Sequence, residues 1–508
     1  MKLSELIKDV EYDVLYGTLD KEIESIAYHS EKIEKKAVFF AIDGHKEHGT
    51  SYISEGIRNG IEAVVLGGEA YYIDRDQCAK HNVTVIHVSD VRKALAKSAS
   101  RMYDEPSKKM LVIGVTGTKG KTTVTYMIRQ ILEAAGIKTG LIGTIYSGFE
   151  GNFTFSKMTT PQSLDIQRLM DQMYENGCKA VVMEVSSQGV MHKRVECVDF
   201  DIGVFTNISP DHIGEGEHKS FDEYLSWKSR FFDMCSMAVI NADDERWQQV
   251  VTNERLEKRI FYGLSDNAQF RAGDIRLWSE KDILGAQYRL EAKKPCGDDS
   301  SQEIILNIPG KFNVYNSLAA IATCKGLGIP WEYIKEAIKT VKIPGRAELI
   351  GGFDFPVIVD YAHNGIALEN LLLSLKKYNP DRIILVFGCG GNRDKNRRYD
   401  MGRVASSLAD LVIVTSDNPR TEPPEQIIRD IMSAMNYDII RVIEIADRKS
   451  AIQRALEEGR KGDIVVIAGK GHENYQIIAG ETLHFDDREV VMDFASDNLL
   501  QTRGKENL

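Results

Sequence analysis

Short apolar runs alternate with helix-length segments along much of the chain, and this pattern predicts an α/β protein. The first hundred residues contain the runs AVFFAI, AVVLGG and VTVIHV with helical stretches between them, which favours a small α/β domain. The last third contains VIVD (357–360), IILVFG (383–388), LVIVT (411–415) and IVVIAG (464–469). Uniformly apolar strands that alternate with helices are typical of a parallel, doubly wound sheet.

The middle of the chain begins as strand, loop and helix. Apolar residues recur at helical spacing after residue 121, and Gly136 is placed to end that helix. The residues on this predicted helix face are Val124, Met127, Ile128, Ile131 and Leu132. Further on, the alternation from Ala286 to Ala292 predicts a strand in a β-rich insert, and the polar segment CGDDSSQE (296–303) predicts an exposed turn.

Two polar, proline-containing segments divide the chain. RMYDEPSKKM (101–110) leads into an apolar run, and VKIPGRAE (341–348) separates a helical segment from the strands of the last third. The boundaries predict three domains, residues 1–105, 106–342 and 343–508. A length of 508 residues agrees with that number of domains.

Charge and cysteine content exclude several classes of protein. Lys and Arg number 64 against 75 Asp and Glu, so a net charge of −11 argues against nucleic-acid binding along the whole chain. The seven cysteines show no C-x-x-C spacing, which favours a reducing compartment. Neither a signal peptide nor an apolar run of about 20 residues is visible. We therefore expect a cytoplasmic protein without an integral membrane segment.

The segment GVTGTKGKTT (114–123) carries the strongest chemical signal. Its glycines allow backbone N–H groups to converge on phosphate oxygens, Lys121 adds a positive charge, and the Thr122 hydroxyl is suited to Mg²⁺. Val115 stands where the usual phosphate-loop pattern has its first glycine, so the pattern here is the shorter G-x-x-G-K-T. A plain strand-to-helix turn is the alternative, and the predicted strand before the segment and helix after it favour the phosphate loop.

Other polar residues follow apolar runs. Glu184 ends one such run and His212 follows another, and a carboxylate with an imidazole can complete a magnesium shell. Taken singly, each is more often an ordinary strand-end or loop residue. In the last third the runs end in DYAHN, GCGGNRDK, SDNPR and GKGHE. Ligands bind at the carboxyl ends of parallel strands, so chemistry is expected at these positions.

Ten motifs in order resemble the Mur ligase family, the ATP-dependent amide-forming enzymes of peptidoglycan precursor assembly. They are GVTGTKGKTT, MEVSS, TNISPDH, YLSWKSRFF, GKFNVYNSLAA, PGRAE, VDYAH, GCGGNRDK, SDNPR and GKGHENYQ. The resemblance implies an N-terminal UDP-binding domain, a central ATPase-type domain with a parallel sheet, and a C-terminal Rossmann-like domain that binds the amino acid. It also implies a monomer whose partners are small molecules.

The resemblance assigns site residues by their motifs. For ATP they are Gly117, Thr118, Lys119, Gly120, Lys121, Thr122, Thr123, Asn313, Asn316, Arg346, Asp360 and His363. For UDP-N-acetylmuramoyl-dipeptide they are Ser30, His45, Thr159, Thr160, Ser186, His192 and Arg194. For the incoming amino acid they are Arg393, Asp417, Asn418, Pro419, Arg420, Gly469 and Glu473. The expected reaction passes through an acyl phosphate.

The resemblance also implies a modified lysine and magnesium. Lys228 aligns with the lysine that the family carries as a carbamate, and an anion at that position could help to place a metal. Thr122, Glu184, His212 and Lys228 are then the implied Mg²⁺ ligands, and Lys121, His212 and Lys228 the implied catalytic residues. Without the family match, Lys228 would be interpreted as a helix-surface lysine.

The identity of the amino acid depends on two arginines. Arg393 and Arg420 would suit a ligand with a second carboxylate, because guanidinium pairs with carboxylate through two hydrogen bonds. Meso-diaminopimelate has that carboxylate and lysine does not, and Glu473 would bind the distal ammonium. Alternatives remain: a ligase for lysine, a Mur-type paralogue for another acyl acceptor, a regulatory protein that has lost ligation, and a metabolite kinase. HSEK puts Glu31 where the family has arginine in the uridine region, and this reversal of charge leaves the paralogue open as an alternative.

Overall fold

A computed structural model describes residues 1–44, 47–68, 74–211, 213–214, 216–256, 258–294 and 298–506. The chain divides into two compact units. The first is Met1–Tyr262 with Ala322–Leu327, and the second is Gly263–Ile321 with Gly328–Leu508. Within the described residues, no helix is both long enough and apolar enough to cross a membrane.

The first hundred residues form a five-stranded sheet, as their apolar runs predict. The strands are β1 (Asp13–Tyr16), β2 (Ser25–Ala27), β3 (Ala37–Phe40), β4 (Ala63–Leu66) and β5 (Thr84–His87). The helices are α1 (Leu3–Leu6), α2 (Ile53–Arg58), α3 (Arg75–Lys80) and α4 (Val91–Met102). The order is β1-β5-β4-β3-β2, and only β1 is antiparallel to its neighbour.

The rest of the first unit is built around a second sheet in the order β13-β12-β11-β6-β10-β7-β8-β9. The strands are β6 (Leu111–Thr116), β7 (Thr139–Ile142), β8 (Tyr146–Phe149), β9 (Asn152–Phe155), β10 (Ala180–Glu184), β11 (Phe200–Phe205), β12 (Cys235–Asn241) and β13 (Lys258–Gly263). The helices are α5 (Lys121–Ala134), α6 (Ser163–Glu175), α7 (Ser187–Met191), α8 (Phe221–Phe231) and α9 (Trp247–Val250). Strands β13 to β7 in this order are parallel, while β8 and β9 are antiparallel additions.

Burial explains why the central strands are so apolar. Strand β10 is buried at every position, and both β6 and β11 are buried at nearly all of theirs, because helices cover both faces. Gly114 in β6 lets the aromatic rings pack close to the sheet: a Cβ there would lie 2.6 Å from Cζ of Phe231. Helix α5 ends at Ala134 and Gly136 follows with φ +80°, which confirms the predicted stop.

The insert of the second unit begins with three antiparallel strands, β14 (Phe270–Glu280), β15 (Ile283–Ala292) and β16 (Ser300–Leu306). Helices α10 (Lys311–Gly326) and α11 (Trp331–Thr340) follow. The strand predicted over 286–292 is confirmed within β15. The turn predicted over 296–303 is wrong from Ser300 onwards, where β16 begins. Polar residues fit that strand because one face of it is exposed.

The last third forms a six-stranded sheet in the order β17-β18-β22-β19-β20-β21 and a separate hairpin of β23 and β24. The strands are β17 (Glu348–Leu349), β18 (Val357–Asp360), β19 (Ile383–Phe387), β20 (Leu411–Val414), β21 (Arg441–Glu444), β22 (Ile464–Ala468), β23 (Tyr475–Ile478) and β24 (Glu481–His484). The helices are α12 (Gly365–Lys376), α13 (Asn396–Leu408), α14 (Pro424–Met432), α15 (Arg448–Glu458) and α16 (Asp487–Glu506). Five of the six sheet strands are parallel, which confirms the predicted doubly wound sheet.

Candidate functional site

The phosphate-loop motif forms the connection between β6 and α5. Gly117 has φ +147° and Gly120 has φ +89°, conformations that side chains with a Cβ rarely adopt. A Cβ on Gly117 would lie 1.9 Å from Oγ1 of Thr206, so glycine is required there. The loop leads into the N-terminus of the 14-residue helix α5, where free N–H groups and the helix dipole favour an anion.

The loop is fixed by the segment that follows β11. The backbone N–H of Thr118 donates to the carbonyl of Asn207 at 2.8 Å, and that of Lys119 donates to Oδ1 of Asn207 at 3.0 Å. Thr206 Oγ1 donates to the carbonyl of Lys119 at 2.7 Å. The TNISPDH motif therefore supports the phosphate loop, a role that its sequence did not suggest.

Two lysine ammonium groups lie at the same turn. Lys121 Nζ donates to the carbonyls of Gly117 and Thr118 at 2.9 and 3.1 Å, and Lys228 Nζ donates to the carbonyl of Gly117 at 2.8 Å. Lys228 is on α8 and only 1% exposed, so it is not a surface lysine. Burial first, and then the Lys121 ammonium, hold the pKa of Lys228 well below its usual value.

Glu184 is a buried carboxylate at the end of β10, directly beside the phosphate loop. Its Oε2 accepts a hydrogen bond from Thr122 Oγ1 at 3.0 Å and another from Thr144 Oγ1 at 3.0 Å, while Oε1 accepts from the N–H of Thr144 at 2.7 Å. Gly143 makes this approach possible, because a Cβ there would lie 2.6 Å from Glu184 Oε1. Thr144 and Gly143 were not predicted as site residues.

The pair of Thr122 and Glu184 fits a magnesium ion. Mg²⁺ prefers oxygen ligands, keeps several waters, and is usually shared between one or two protein oxygens and substrate phosphates. The described residues contain no group of three or more His, Cys, Asp and Glu side chains that could hold a metal alone. His212, the third predicted ligand, lies outside the described residues.

Several residues predicted to contact UDP-N-acetylmuramoyl-dipeptide are joined around Thr160. Its Oγ1 donates to the carbonyl of Glu184 at 2.9 Å and to Ser186 Oγ at 3.1 Å, and Arg194 Nη1 donates to the carbonyl of Thr160 at 3.2 Å. Thr159 Oγ1 lies 3.1 Å from Thr144 Oγ1. This group is therefore continuous with the carboxylate of Glu184.

The remaining predicted substrate residues are more dispersed. His192 follows α7 and is half-buried. Ser30 is buried in a short 3₁₀ turn of the N-terminal sheet region. His45 lies outside the described residues. Among the described residues, no hydrogen bond joins Ser30 to the group around Thr160, so the two are not held together by direct hydrogen bonding.

The predicted ATP residues of the second unit form two groups. Asn316 Nδ2 donates to Oδ1 of Asn313 at 2.8 Å, and Asn313 Nδ2 donates to the carbonyl of Pro309 at 2.8 Å. The second group surrounds the Tyr361 ring, which has the guanidinium of Arg346 at 4.8 Å and the His363 ring at 4.6 Å.

Asp360 immediately precedes Tyr361 and belongs to the same group of residues. Its two carboxylate oxygens accept from the backbone N–H groups of Ala347 and Ala362 at 2.7 and 2.8 Å. Both oxygens are thereby held by backbone N–H groups that lie within the PGRAE and VDYAH motifs. These two hydrogen bonds connect the start of the last third of the chain to the end of β18.

The predicted amino-acid residues gather where β20 and β22 end. Asn418 Nδ2 donates to Glu473 Oε2 at 2.9 Å, and Arg420 Nη1 donates to the carbonyl of Gly391 at 2.7 Å. Arg420 has φ +56°, and its N–H pairs with the carbonyl of Ile477 at 2.9 Å. These contacts join the SDNPR, GCGGNRDK and GKGHENYQ motifs into one cluster.

Glycines shape that cluster. A Cβ on Gly469 would lie 2.9 Å from Asp417 Oδ2. A Cβ on Gly390 would lie 2.9 Å from Arg420 Nη1 and 3.8 Å from Cγ of the exposed Arg393. The carbonyl of Pro419 would be 2.0 Å from a Cβ on Gly391. The loops are consequently packed against one another and place both predicted arginines close to Gly390.

Comparison with known proteins agrees with this architecture. Family models match in chain order: Mur ligase family, catalytic domain, at residues 22–103; Mur ligase middle domain at 115–324; and Mur ligase, glutamate ligase domain, at 345–471. A curated protein of Caldanaerobacter subterraneus subsp. tengcongensis, UDP-N-acetylmuramoyl-L-alanyl-D-glutamate–2,6-diaminopimelate ligase, is 41% identical over 98% of this chain and 100% of its own length. The chain belongs to the Mur ligase family.

Other members of the Mur ligase family are similar to this chain in sequence or in fold. A ligase of the same name from Clostridioides difficile is 40% identical over 96% of this chain and 98% of its own length. A solved structure of such a ligase matches with a TM-score of 0.70 and 29% identity over 98% of this chain and 99% of the other. MurF from Thermotoga maritima in complex with ADP, at 18% identity and a TM-score of 0.60 over 94% of this chain and 98% of the other, shares the fold.

Proposed function

We propose that this chain ligates meso-diaminopimelate to UDP-N-acetylmuramoyl-L-alanyl-D-glutamate at the expense of ATP, in the synthesis of peptidoglycan precursors. Full-length similarity to curated ligases of that name, at 38–41% identity, is the observation that carries the proposal. The phosphate loop beside Glu184 supports the ATP-dependent step. The two arginines around Gly390 support an amino acid with two carboxylates.

The reaction would proceed in two steps. The terminal carboxylate of the nucleotide-linked dipeptide attacks the γ-phosphorus of ATP, an oxygen–phosphorus bond forms, and ADP leaves. The amine of the incoming amino acid then attacks the acyl carbon, loses a proton, and expels inorganic phosphate. Positioning and charge neutralisation are the main tasks of the protein, because the transferring phosphoryl group spreads negative charge over its oxygens.

The chain's residues divide these tasks. Backbone N–H groups where the loop meets α5 and the Lys121 ammonium would bind the phosphates. Thr122 and Glu184 would hold Mg²⁺, with His212 as a further ligand, and the ion when bound would neutralise charge on phosphate oxygens. Thr160, Ser186 and Arg194 would orient the dipeptide end of the acceptor. Asn418, Arg420 and Glu473 would orient the amino acid.

We also propose that Lys228 carries a carbamate. The neutral amine attacks CO₂, a nitrogen–carbon bond forms and one proton is released. The carbamate would put an anion beside the Lys121 ammonium in place of a second amine, and opposite charges attract more strongly in low-polarity surroundings. The support is the burial of Lys228 and its shared contact with Lys121 at the carbonyl of Gly117.

The test is amino-acid-dependent phosphate release from ATP, Mg²⁺ and UDP-N-acetylmuramoyl-dipeptide. We expect release with meso-diaminopimelate and little with lysine. Arg420→Met should lower kcat/KM for diaminopimelate by about 100-fold, since it removes a charged partner of a carboxylate. Arg429 is exposed on α14, and Arg429→Met is the matched control, which should leave kcat/KM for diaminopimelate unchanged. Activity with lysine alone would overturn the choice of amino acid.

A further inference from the structure

Lys470 is an ammonium buried inside the amino-acid cluster. Its side chain is 0% exposed, and its Nζ lies 3.2 Å from Glu473 Oε2 and 3.3 Å from Asn418 Oδ1. A buried ammonium is costly unless an anion and hydrogen-bond acceptors surround it. Neither the family assignments nor the motif analysis gives Lys470 a role.

The contacts of Lys470 fix the two residues it touches. Asn418 Oδ1 accepts from Lys470 and also from the N–H of Ile477 at 3.0 Å, so its Nδ2 faces Glu473 Oε2 at 2.9 Å. The two side chains that donate to Glu473, those of Lys470 and Asn418, therefore both bind its Oε2. Among the described residues, no hydrogen bond is found to its Oε1. The carboxylate is thus held by one oxygen and leaves the other for a ligand.

We propose that Lys470 is a positioning residue that makes Glu473 selective for the distal ammonium of a diamino acid. The inference rests on the proposed function and deepens it. Without Lys470, the Glu473 carboxylate would keep only the neutral Asn418 among these partners. Its side chain is 17% exposed, so it would then be able to turn to water. That change would move away the negative oxygen that recognises the ammonium.

A purely structural lysine would act differently. Its loss would lower stability and would weaken every amino-acid substrate alike. A positioning lysine should affect only the substrate whose distal ammonium Glu473 recognises. The substrate pair that separates these roles is diaminopimelate and 2-aminopimelate, because the second keeps both carboxylates and lacks the distal amine.

The experiment measures kcat and KM for both amino acids with the full-length protein, ATP, Mg²⁺ and UDP-N-acetylmuramoyl-dipeptide. We expect Lys470→Met to raise KM for diaminopimelate about 10- to 100-fold, in line with the loss of a hydrogen bond between charged groups. The values for 2-aminopimelate and the KM for ATP should stay close to wild type. Lys461→Met, at an exposed site of the same sheet region, is the matched control.

A double-mutant cycle tests whether Lys470 acts through Glu473. Lys470→Met added to Glu473→Gln should cause no further loss of the preference for diaminopimelate. Additive losses, or equal losses for both amino acids, would overturn the inference. If Lys470→Met does not fold, Lys470→Arg should keep the preference and Lys470→Gln should lose it, and equal preferences in these two would overturn it.

The proposed function and this inference fail in different ways. A wild-type protein that does not use diaminopimelate would overturn the proposed function and the inference with it. Wild-type turnover with an unchanged preference in the Lys470 variants would overturn the inference alone.

Discussion

Lys228 is the residue whose environment differs most from what its local sequence predicts, which is a helix-surface position. It lies on a helix with polar neighbours, yet its side chain is buried against the carbonyl of Gly117, which Lys121 also contacts. Helix periodicity alone does not reveal this burial, because the phosphate loop that covers Lys228 is 111 positions away in the chain. Only the family motif identified the residue.

The proposed carbamate on Lys228 would make activity depend on dissolved CO₂. We expect ligation by the wild-type protein to fall in CO₂-depleted buffer and to recover with bicarbonate. Lys228→Met should reduce turnover by about 100-fold or more, as the loss of a preorganised charge does, and should not respond to bicarbonate. The exposed Lys179→Met should behave as wild type. Undiminished turnover without CO₂ would contradict the modification.

His472 should make the second unit sensitive to acid. It is 8% exposed and its ring contacts Tyr361, and burial is the main cause that lowers its pKa to about 3. The unfolded chain has a histidine pKa of about 6.5, so it binds more protons than the folded chain between these values. Folding stability should therefore rise with pH from about 3 to 6.5 and level off above that.

Melting temperatures at pH 5 and pH 7.5 check the effect of His472. The wild-type protein should lose more stability on acidification than His472→Gln does, because the variant lacks the buried titrating ring. His81→Gln, at an exposed site, should retain the wild-type pH dependence. Equal acid sensitivity in all three proteins would contradict the assignment to His472.

At the scale of elements, strands buried on both faces were the most predictable parts. The runs at 357–360, 383–388, 411–415 and 464–469 became β18, β19, β20 and β22 because helices on both faces require apolar side chains. Strand β16 was missed at its polar beginning, since its exposed face permits Ser301 and Glu303. Glu184 was found because it ends an apolar run, whereas Thr144, 40 positions earlier in sequence, meets it only through the pairing of β7 with β10.

The turn after β7 offers a test that removes no polar group. Gly143→Ala would place a methyl group 2.6 Å from Glu184 Oε1, which is held by the N–H of Thr144 and cannot yield without losing that bond. We expect phosphate release to fall by about 10- to 100-fold, since small misplacements of catalytic groups have effects of that size. The Mg²⁺ concentration required for half-maximal rate should rise.

Gly273→Ala in β14 is the matched control for Gly143→Ala. Nothing lies within 4 Å of a Cβ at Gly273, so the added methyl group should leave the rate unchanged. A Gly143→Ala protein with wild-type rate and wild-type Mg²⁺ requirement would contradict the role given to Glu184.

At the scale of the whole molecule, the local charge at the proposed phosphate site is opposite in sign to the net charge of the chain. The chain carries a net charge of −11, although the proposed substrates are anions. Lys119, Lys121 and Arg194 supply local positive charge within the first unit, where phosphates and a carboxylate would bind. Composition alone could not locate these cations, because they come from different motifs of the sequence.

The central claim for the whole molecule is that the acceptor carboxylate becomes an acyl phosphate. Its direct test uses UDP-N-acetylmuramoyl-dipeptide labelled with ¹⁸O in the carboxylate that is to be ligated. One carboxylate oxygen should be transferred to the γ-phosphorus in the first step and released with it in the second. We predict that mass spectrometry finds one ¹⁸O in the inorganic phosphate formed with each peptide bond. Phosphate free of the label, formed together with ligated product, would contradict the account.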